Sequence, residues 1–199
     1  LGVAGIYTSV QGLTRQGFFQ IISAHSGTGF STLPASELAM WGGLAFGGMT
    51  IAMALGGMAS STAGGIKALR IGLTVKAITN QTKQLLLPEG AIVSTRYVQS
   101  GRKRLTPELA QSAMTVALLY VALYLLGAGV ALGYGYGFQE ALFESVSAGA
   151  NVGLSVGVAG PSMPLLLKLT YMLQMWAGRL EFVAAFALLG FVYAWVKGK

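Results

Sequence analysis

Cysteine and aspartate are absent from this 199-residue sequence, and histidine occurs only once. Without cysteine, the chain can form neither a disulfide framework nor a thiolate metal site. The six acidic residues are all glutamate, so few side chains remain for a metal site or for a carboxylate–histidine acid–base pair. The composition therefore argues against an enzyme.

Charge is also scarce. Charged residues make up only 10% of the chain, whereas soluble proteins carry about 25%. Hydrophobic residues make up 54%, and several apolar runs approach the roughly 20 residues that a helix needs to cross a bilayer. We therefore predict a multi-pass membrane protein embedded in the lipid bilayer, with spanning helices over 38–58, 114–132 and 165–196.

The formal net charge of +7 is unevenly distributed. Lysine and arginine concentrate in 67–104 and at the C-terminus, whereas 133–161 contains neither. Cytoplasmic segments of membrane proteins carry such an excess of positive charge. We therefore place the basic connection and the C-terminus in the cytoplasm, in a protein of the cell (plasma or inner) membrane, and expect no nucleic-acid partner.

One polar segment occurs twice, 124 positions apart (147 minus 23). The first copy, 23–32, reads SAHSGTGFST, and the second, 147–156, reads SAGANVGLSV. Each follows an amphipathic stretch too short to cross a membrane (15–24 and 138–148) and precedes a longer apolar run. Because an internal period indicates repeated architecture, we predict an all-α fold in which a short re-entrant helix, a loop and a spanning helix occur twice.

Both copies have the composition of an ion-selective loop. Backbone carbonyls can replace the hydration shell of a potassium ion, as in filters that read Thr-Val-Gly-Tyr-Gly. Gly29 and Gly153 match the central glycine of that pattern, while Ser31 and Ser155 stand where its last glycine would be. Glycine is needed where the main chain adopts dihedrals that other residues avoid. We therefore interpret both segments as pore loops.

Two further segments interrupt apolar runs. The stretch 56–65 holds two glycine pairs around Ser-Ser-Thr. Its spacing is equally compatible with the end of a helix and with a broken inner helix beside a conduction path. Gly178-Arg179-Leu180-Glu181 places charges in the middle of the last apolar run, where they usually face the interior of a helix bundle or water.

These segments together resemble the Trk/Ktr/HKT superfamily of potassium transporters, and 56–67 is the most specific match. The resemblance implies a pore of four helix–pore loop–helix repeats around a pseudo-fourfold axis, of which this chain holds the third and fourth. The third-type repeat would cover 1–79 with a truncated outer helix, followed by a basic cytosolic connection, 80–105, and the fourth-type repeat, 106–199. The implied function is potassium uptake across the cell membrane, with K+ as the transported ion and no cofactor.

The resemblance also implies roles for individual residues. Filter carbonyls would come from Ser26, Gly27, Thr28, Gly29, Ala150, Asn151, Val152 and Gly153, with potassium held at Thr28, Gly29, Val152 and Gly153. Gating would involve an intramembrane loop and a positive barrier near the axis, formed by Gly56, Gly57, Ser60, Ser61, Thr62, Gly64, Gly65 and Arg179. His25 and Ala63 depart from the family pattern.

Two repeats cannot close a fourfold ring, so the remaining two pore repeats are expected on the same native chain or on a second copy. The resemblance further implies a homodimer and a cytosolic nucleotide-binding regulatory subunit that docks on the basic connection. Two other functions stay open: a secondary transporter whose segment 56–65 binds a small solute, and an intramembrane hydrolase using Ser26. The hydrolase lacks the Gly-x-Ser-x-Gly elbow around its serine.

Glu140 and Glu144 lie one turn apart on the second amphipathic stretch. Their spacing predicts either a solvated helix face or a pair that draws cations toward the pore mouth. His25 is expected to be a hydrogen-bonded packing residue behind the first pore loop.

Overall fold

The computed structural model describes residues 10–58, 61, 63–88, 96–98, 101–180 and 182–198. Helices dominate this part of the chain: α1 (Val10–Gly12), a π-helical segment (Leu13–Phe18), α2 (Phe19–Ser26), α3 (Ala35–Ala39), α4 (Gly43–Ala54), α5 (Ala68–Leu86), α6 (Pro107–Gly133), α7 (Phe138–Gly149), α8 (Leu165–Arg179) and α9 (Val183–Val196). Two small sheets accompany them, a parallel pair, β1 (Leu55–Gly56) with β2 (Ile66–Lys67), and an antiparallel pair, β3 (Arg96–Val98) with β4 (Arg102–Arg104). The helical fold class predicted from the sequence is confirmed.

Helix α6 contains the predicted span 114–132. It begins where Thr106 Oγ1 accepts a hydrogen bond from the N–H of Leu109 (3.3 Å). Pro107 at the first helical position and Glu108 at the positive end of the helix dipole also favour a start here. With 27 residues, α6 is the only helix of the described ranges that is long and apolar enough to cross a membrane.

The other two predicted spans are broken, so the prediction of continuous helices over 38–58 and 165–196 is wrong. The first divides into α3 and α4 at 40–42, where Gly42 is extended (ψ 153°) at the N-cap of α4. The second divides into α8 and α9 around Phe182, which adopts a left-handed φ of 61°. Mean hydropathy records neither break, because a change of backbone dihedral leaves the apolar composition unchanged.

Two helices are longer than the sequence predicts. The helical run before the first pore loop starts at Val10 and includes the π-helical segment, a widened turn that is rare and often found near functional sites. Helix α5 continues to Leu86, past the expected end at 78, so the proposed boundary between 79 and 80 falls inside a helix. The predicted helix tail at 1–8 lies outside the described residues.

Helix α7 lies at the centre of the described helices, in contact with α4, α6 and α8. Every residue from 143 to 149 is buried, including Ser145 and Ser147. Ser145 Oγ donates to the carbonyl of Tyr124 on α6 (2.6 Å) and accepts from Gln174 Nε2 on α8 (3.0 Å). Such interhelical bonds from small polar residues hold helices together where the surroundings are as apolar as the core. The amphipathic pattern of α7 therefore reflects polar contacts inside the protein rather than contact with water.

Candidate pore loops

Each repeated segment forms the end of a short helix and the loop that follows it. The first pore loop, 27–34, follows α2, and the second pore loop, 150–164, follows α7. Gly29 and Gly153 have similar left-handed φ angles, 75° and 90°. The carbonyl of Ser23 accepts from the N–H of Thr28 (3.1 Å), and the matched carbonyl of Ser147 accepts from the N–H of Val152 (3.0 Å). The internal repeat is therefore reproduced in backbone geometry.

Buried serines at the ends of the helices fix both loops. Ser23 Oγ donates to the carbonyl of Phe30 (2.6 Å), and Ser147 Oγ accepts from the N–H of Gly153 (3.1 Å). Both serines are less than 5% exposed. The two loops thus use the same side-chain position but opposite directions of hydrogen bonding.

The two pore loops lie against each other. A Cβ added to Gly29 would overlap the carbonyl oxygen of Val152 and would lie 3.7 Å from the Cα of Gly153. This main-chain approach, together with the left-handed φ of Gly29, explains why the position holds glycine. Of the residues predicted to form the filter, the structure therefore places Gly29, Val152 and Gly153 side by side.

The other predicted filter residues lie around this contact. Ala150 and Val152 turn their side chains into the core, which leaves only their main chain for the loop surface. Asn151 has a φ of 56°, and its Nδ2 donates to the carbonyl of Met175 on α8 (3.1 Å). Ser26 and Thr28 are exposed and lie 2.7 Å apart between their hydroxyl oxygens.

The segment 56–65 is named here the gating loop after its predicted role, and its described residues pack against both pore loops. Parallel pairing of Leu55 with Ile66 brings the two ends of this segment together. A Cβ on Gly64 would overlap the carbonyl oxygen of Ala150, and a Cβ on Gly27 would lie 3.1 Å from the Cβ of Ala63. Of the two interpretations left open by the spacing, this geometry favours a broken inner helix that returns toward the pore loops. The predicted gating residues Ser60 and Thr62 lie outside the described residues.

Lys67 has a role that the sequence pattern did not indicate. Its charge was counted with the basic cytosolic connection, yet the side chain is only 5% exposed. Nζ donates to the carbonyls of Ser61 (2.8 Å) and Ala63 (2.5 Å) within the gating loop. Hydrogen bonds from a charged donor are about twice as strong as neutral ones, so the ammonium group fastens this loop. Its position two residues after the second glycine pair was the available signal.

Arg179 ends α8 with an exposed side chain. The preceding Gly178 is buried, and a Cβ there would overlap the carbonyl oxygen of Gly149 at the end of α7. Tyr120 on α6 donates from its hydroxyl to the carbonyl of Gly178 (2.8 Å). The arginine is therefore held at the base of the second pore loop. Glu181, two residues further along, lies outside the described residues.

Two further expectations can be compared with the structure. Glu144 is 3% exposed and bonds to the second pore loop, so the prediction of a solvated helix face is wrong for this residue. The alternative, that its charge attracts cations, stays a prediction. Glu140, one turn earlier, is half-buried. His25 is exposed, so the prediction of a packing residue is wrong. Its Nδ1 lies 3.4 Å from the carbonyl of Ala52 on α4.

Two short helices whose glycine loops meet, with a broken helix packed against them, are the arrangement typical of a helix–pore loop–helix membrane protein. Comparison with known proteins identifies the family within this class. The TrkH family model, described as a cation transport protein, matches residues 7–190, and the chain belongs to this family. TrkH proteins are membrane transporters rather than enzymes.

Individual relatives agree with the family assignment. The chain is 29% identical over 175 residues to the uncharacterized cation transporter MJ1485 of Methanocaldococcus jannaschii, covering 88% of this chain and 36% of that protein. It is 28% identical over 180 residues to the Trk system potassium uptake protein TrkI of Halomonas elongata, covering 86% and 35%. The chain thus spans about a third of the length of the curated relatives it matches.

A solved structure has the same fold. The crystal structure of the potassium transporter TrkH from Vibrio parahaemolyticus superimposes with a TM-score of 0.75 at 24% sequence identity. The match covers 92% of this chain and 38% of that chain. The fold of this chain is therefore that of one part of that larger structure.

Proposed function

We propose that this chain supplies two of the four repeats around a potassium pathway across the cell membrane. The assembled transporter, meaning this chain together with the two repeats that complete the ring, would take up K+ through a filter of main-chain oxygens. The observation that carries the proposal is the contact of Gly29 with Val152 and Gly153. Potassium would be held by the carbonyls at Thr28, Gly29, Val152 and Gly153, while Ser26, Gly27, Ala150 and Asn151 complete the two loops.

Main-chain oxygens suit this task for a physical reason. A cation gives up its hydration shell only where several oxygens replace it, and peptide carbonyls do this without a buried charged ligand. Left-handed dihedrals at Gly29 and Gly153 turn the neighbouring peptide groups in the same way in both loops. Matched dihedrals in matched repeats are the geometry that a ring of carbonyls around one axis requires.

Control of the flux is proposed to lie directly beside the filter. The gating loop, with Gly56, Gly57, Ser60, Ser61, Thr62, Gly64 and Gly65, would act as a hinged barrier that Lys67 holds in place. Arg179 at the base of the second pore loop would add a positive charge that slows cations. Cation passage would then require both a displaced loop and an ion that overcomes this repulsion.

The partners and the orientation follow the charge distribution. The connection between α5 and α6, with its exposed β4 (Arg102–Arg104), would face the cytoplasm together with the C-terminus. This basic surface would dock a cytosolic nucleotide-binding regulatory subunit. The two remaining pore repeats would come from the same native chain or from a second copy, and complete transporters would pair as homodimers. The proposed domains are 1–79, 80–105 and 106–199, with α5 crossing the first boundary.

Reconstituted liposomes test this function against a secondary transporter of small solutes. We expect the assembled transporter to let an imposed K+ gradient generate a membrane potential, and to admit K+ in preference to Na+. A solute transporter would instead bind an organic solute saturably and would generate no potential from K+ alone. Such a result, with correctly assembled protein in the liposomes, would contradict the proposal.

A further inference from the structure

One carboxylate is buried directly behind the second pore loop. Glu144, on α7, is 3% exposed. Its Oε1 accepts from Ser155 Oγ (2.5 Å) and from the backbone N–H groups of the following segment: Val156 (2.9 Å), Val158 (3.2 Å) and Ala159 (3.4 Å). All four contacts are donors facing one oxygen, which is the arrangement that an ionised carboxylate accepts. The segment 155–159, immediately after Gly153, is therefore wrapped around a single charge.

This arrangement sets the direction of carbonyl groups in the same segment. In a trans peptide the C=O points opposite to the N–H of the next residue, and the described residues contain no cis peptide. Since three N–H groups of 155–159 converge on Glu144, the carbonyl oxygens of the same peptide units point away from it. A carboxylate on the N–H side also polarises each peptide and increases the negative charge on its oxygen. Glu144 therefore polarises the carbonyl oxygens of Ser155, Gly157 and Val158, which follow Gly153 in the second pore loop.

The first repeat has an uncharged side chain at the position that corresponds to Glu144. Gln20 lies 124 positions before Glu144 (144 minus 20), on α2, and is fully buried. One orientation of its side-chain amide gives hydrogen-bond partners to both the oxygen and the nitrogen. In that orientation the oxygen accepts from Ser31 Oγ (2.8 Å) and from the N–H groups of Thr32 (3.0 Å) and Leu33 (3.3 Å). Ser31 is the counterpart of Ser155 in the repeat. The two pore loops are thus held by equivalent contacts to an amide in one case and a carboxylate in the other.

We propose that Glu144 is a positioning residue that determines cation affinity in the second pore loop, and that Gln20 is its neutral counterpart in the first. The inference rests on the proposed function, because it needs a cation at the two loops. Packing alone requires only an acceptor of the right length, which either residue provides. The charge is the element that distinguishes them, and its negative sign favours a cation on the loop side.

Replacing Glu144 with glutamine tests the charge, because the side chain keeps its size and one acceptor oxygen. We expect the Glu144→Gln transporter in liposomes to need about threefold to tenfold more K+ for half-maximal flux, since a nearby negative charge is lost. The maximal K+ flux should change little, because an affinity effect appears in KM rather than in turnover. Rb+ flux should show the same shift, because the charge does not depend on the size of the ion.

A double variant separates charge from geometry. Gln20→Glu combined with Glu144→Gln moves the carboxylate to the first pore loop, where N–H donors already face the side chain. We expect this exchange to restore a half-saturating K+ concentration close to that of the unmodified transporter. An exchange variant as impaired as Glu144→Gln alone would show that only the local geometry of 155–159 matters and would overturn the inference. If Glu144→Gln fails to assemble, the single variant Gln20→Glu tests the inference instead. We expect it to lower the half-saturating K+ concentration. An unchanged value would overturn the inference.

Glu140→Gln provides the matched control on the same helix. Glu140 is half-buried and makes none of the contacts with 155–159, so its loss of charge should leave the half-saturating K+ concentration within about twofold. An equal shift in both variants would mean that general surface charge, rather than Glu144, determines affinity. Unmodified transporter without any K+ flux would instead overturn the proposed function. Normal K+ flux in the unmodified transporter, together with an unchanged half-saturating K+ concentration in Glu144→Gln, would overturn this inference but not the proposed function.

Discussion

Gly153→Ser is expected to lower the K+ over Na+ selectivity of the assembled transporter about tenfold. The residue has a φ of 90°, and no atom lies within 4 Å of a Cβ placed there, so a serine side chain fits the space. A left-handed backbone nevertheless costs about 1–2 kcal/mol for a residue other than glycine, and about 1.4 kcal/mol corresponds to a tenfold change in an equilibrium. Relaxation of this strain rotates the peptide groups around Val152 and Gly153, and thereby moves their carbonyl oxygens. Reversal potentials in mixed K+ and Na+ solutions measure the change.

Gly135→Ser is the matched control for backbone strain. Gly135, in the turn between α6 and α7, has nearly the same φ, 88°, and equally open space around a Cβ. The substitution should therefore carry a similar conformational cost without touching either pore loop. We expect unchanged selectivity in this variant. Equal loss of selectivity in both variants would show that general destabilisation, rather than filter geometry, is responsible.

Lys67→Met is expected to raise the K+ flux of the assembled transporter by about tenfold or more. The substitution keeps the length of the side chain but removes the ammonium group that bonds to Ser61 and Ala63 in the gating loop. Each hydrogen bond from a charged group contributes about 1.5–3 kcal/mol, so the loop should leave its present position far more often. Loss of a buried positive charge beside the pathway also reduces repulsion of the cation. Both effects act in the same direction, and isotope uptake into liposomes measures their sum.

Lys76→Met is the control for losing a hydrogen bond between a lysine side chain and a backbone carbonyl. Lys76 Nζ donates to the carbonyl of Arg96 (2.7 Å) at an exposed position on α5. Its removal should leave the flux unchanged, because this contact lies away from the gating loop. A Lys67→Met protein that assembles normally but shows unchanged or reduced flux would contradict the role of the gating loop as a barrier.

The repeat was the part of the architecture that the sequence predicted best. A fixed offset of 124 positions (147 minus 23) relates Ser23 to Ser147 and Gly29 to Gly153, and both pairs adopt equivalent positions in the structure. Such pairs are visible in a sequence because the same backbone dihedral selects glycine in each copy. The fold class and the family followed from these pairs and from the motif 56–67.

Breaks in helices and buried charges could not be predicted in the same way. The kinks at 40–42 and at Phe182 depend on dihedral angles, which average hydropathy does not record. Glu144 lies on the polar side of an amphipathic helix, and helical spacing cannot distinguish a face covered by water from one covered by a protein loop. The charge of Lys67 was counted with the basic connection for a related reason, since charge statistics ignore the carbonyls that can accept hydrogen bonds from an ammonium group. In both cases most of the partners are main-chain groups, which leave no mark in the residue types.

Anomalous X-ray scattering from Rb+ or Tl+ soaked into crystals of the assembled transporter tests the central claim most directly. Both ions substitute for K+ at carbonyl sites and can be located independently of the protein. We expect an ion on the shared axis of the two pore loops, in contact with carbonyl oxygens at Thr28, Gly29, Val152 and Gly153. Ions bound only elsewhere, or loops at Gly29 and Gly153 that face lipid with no ion between them, would contradict that claim.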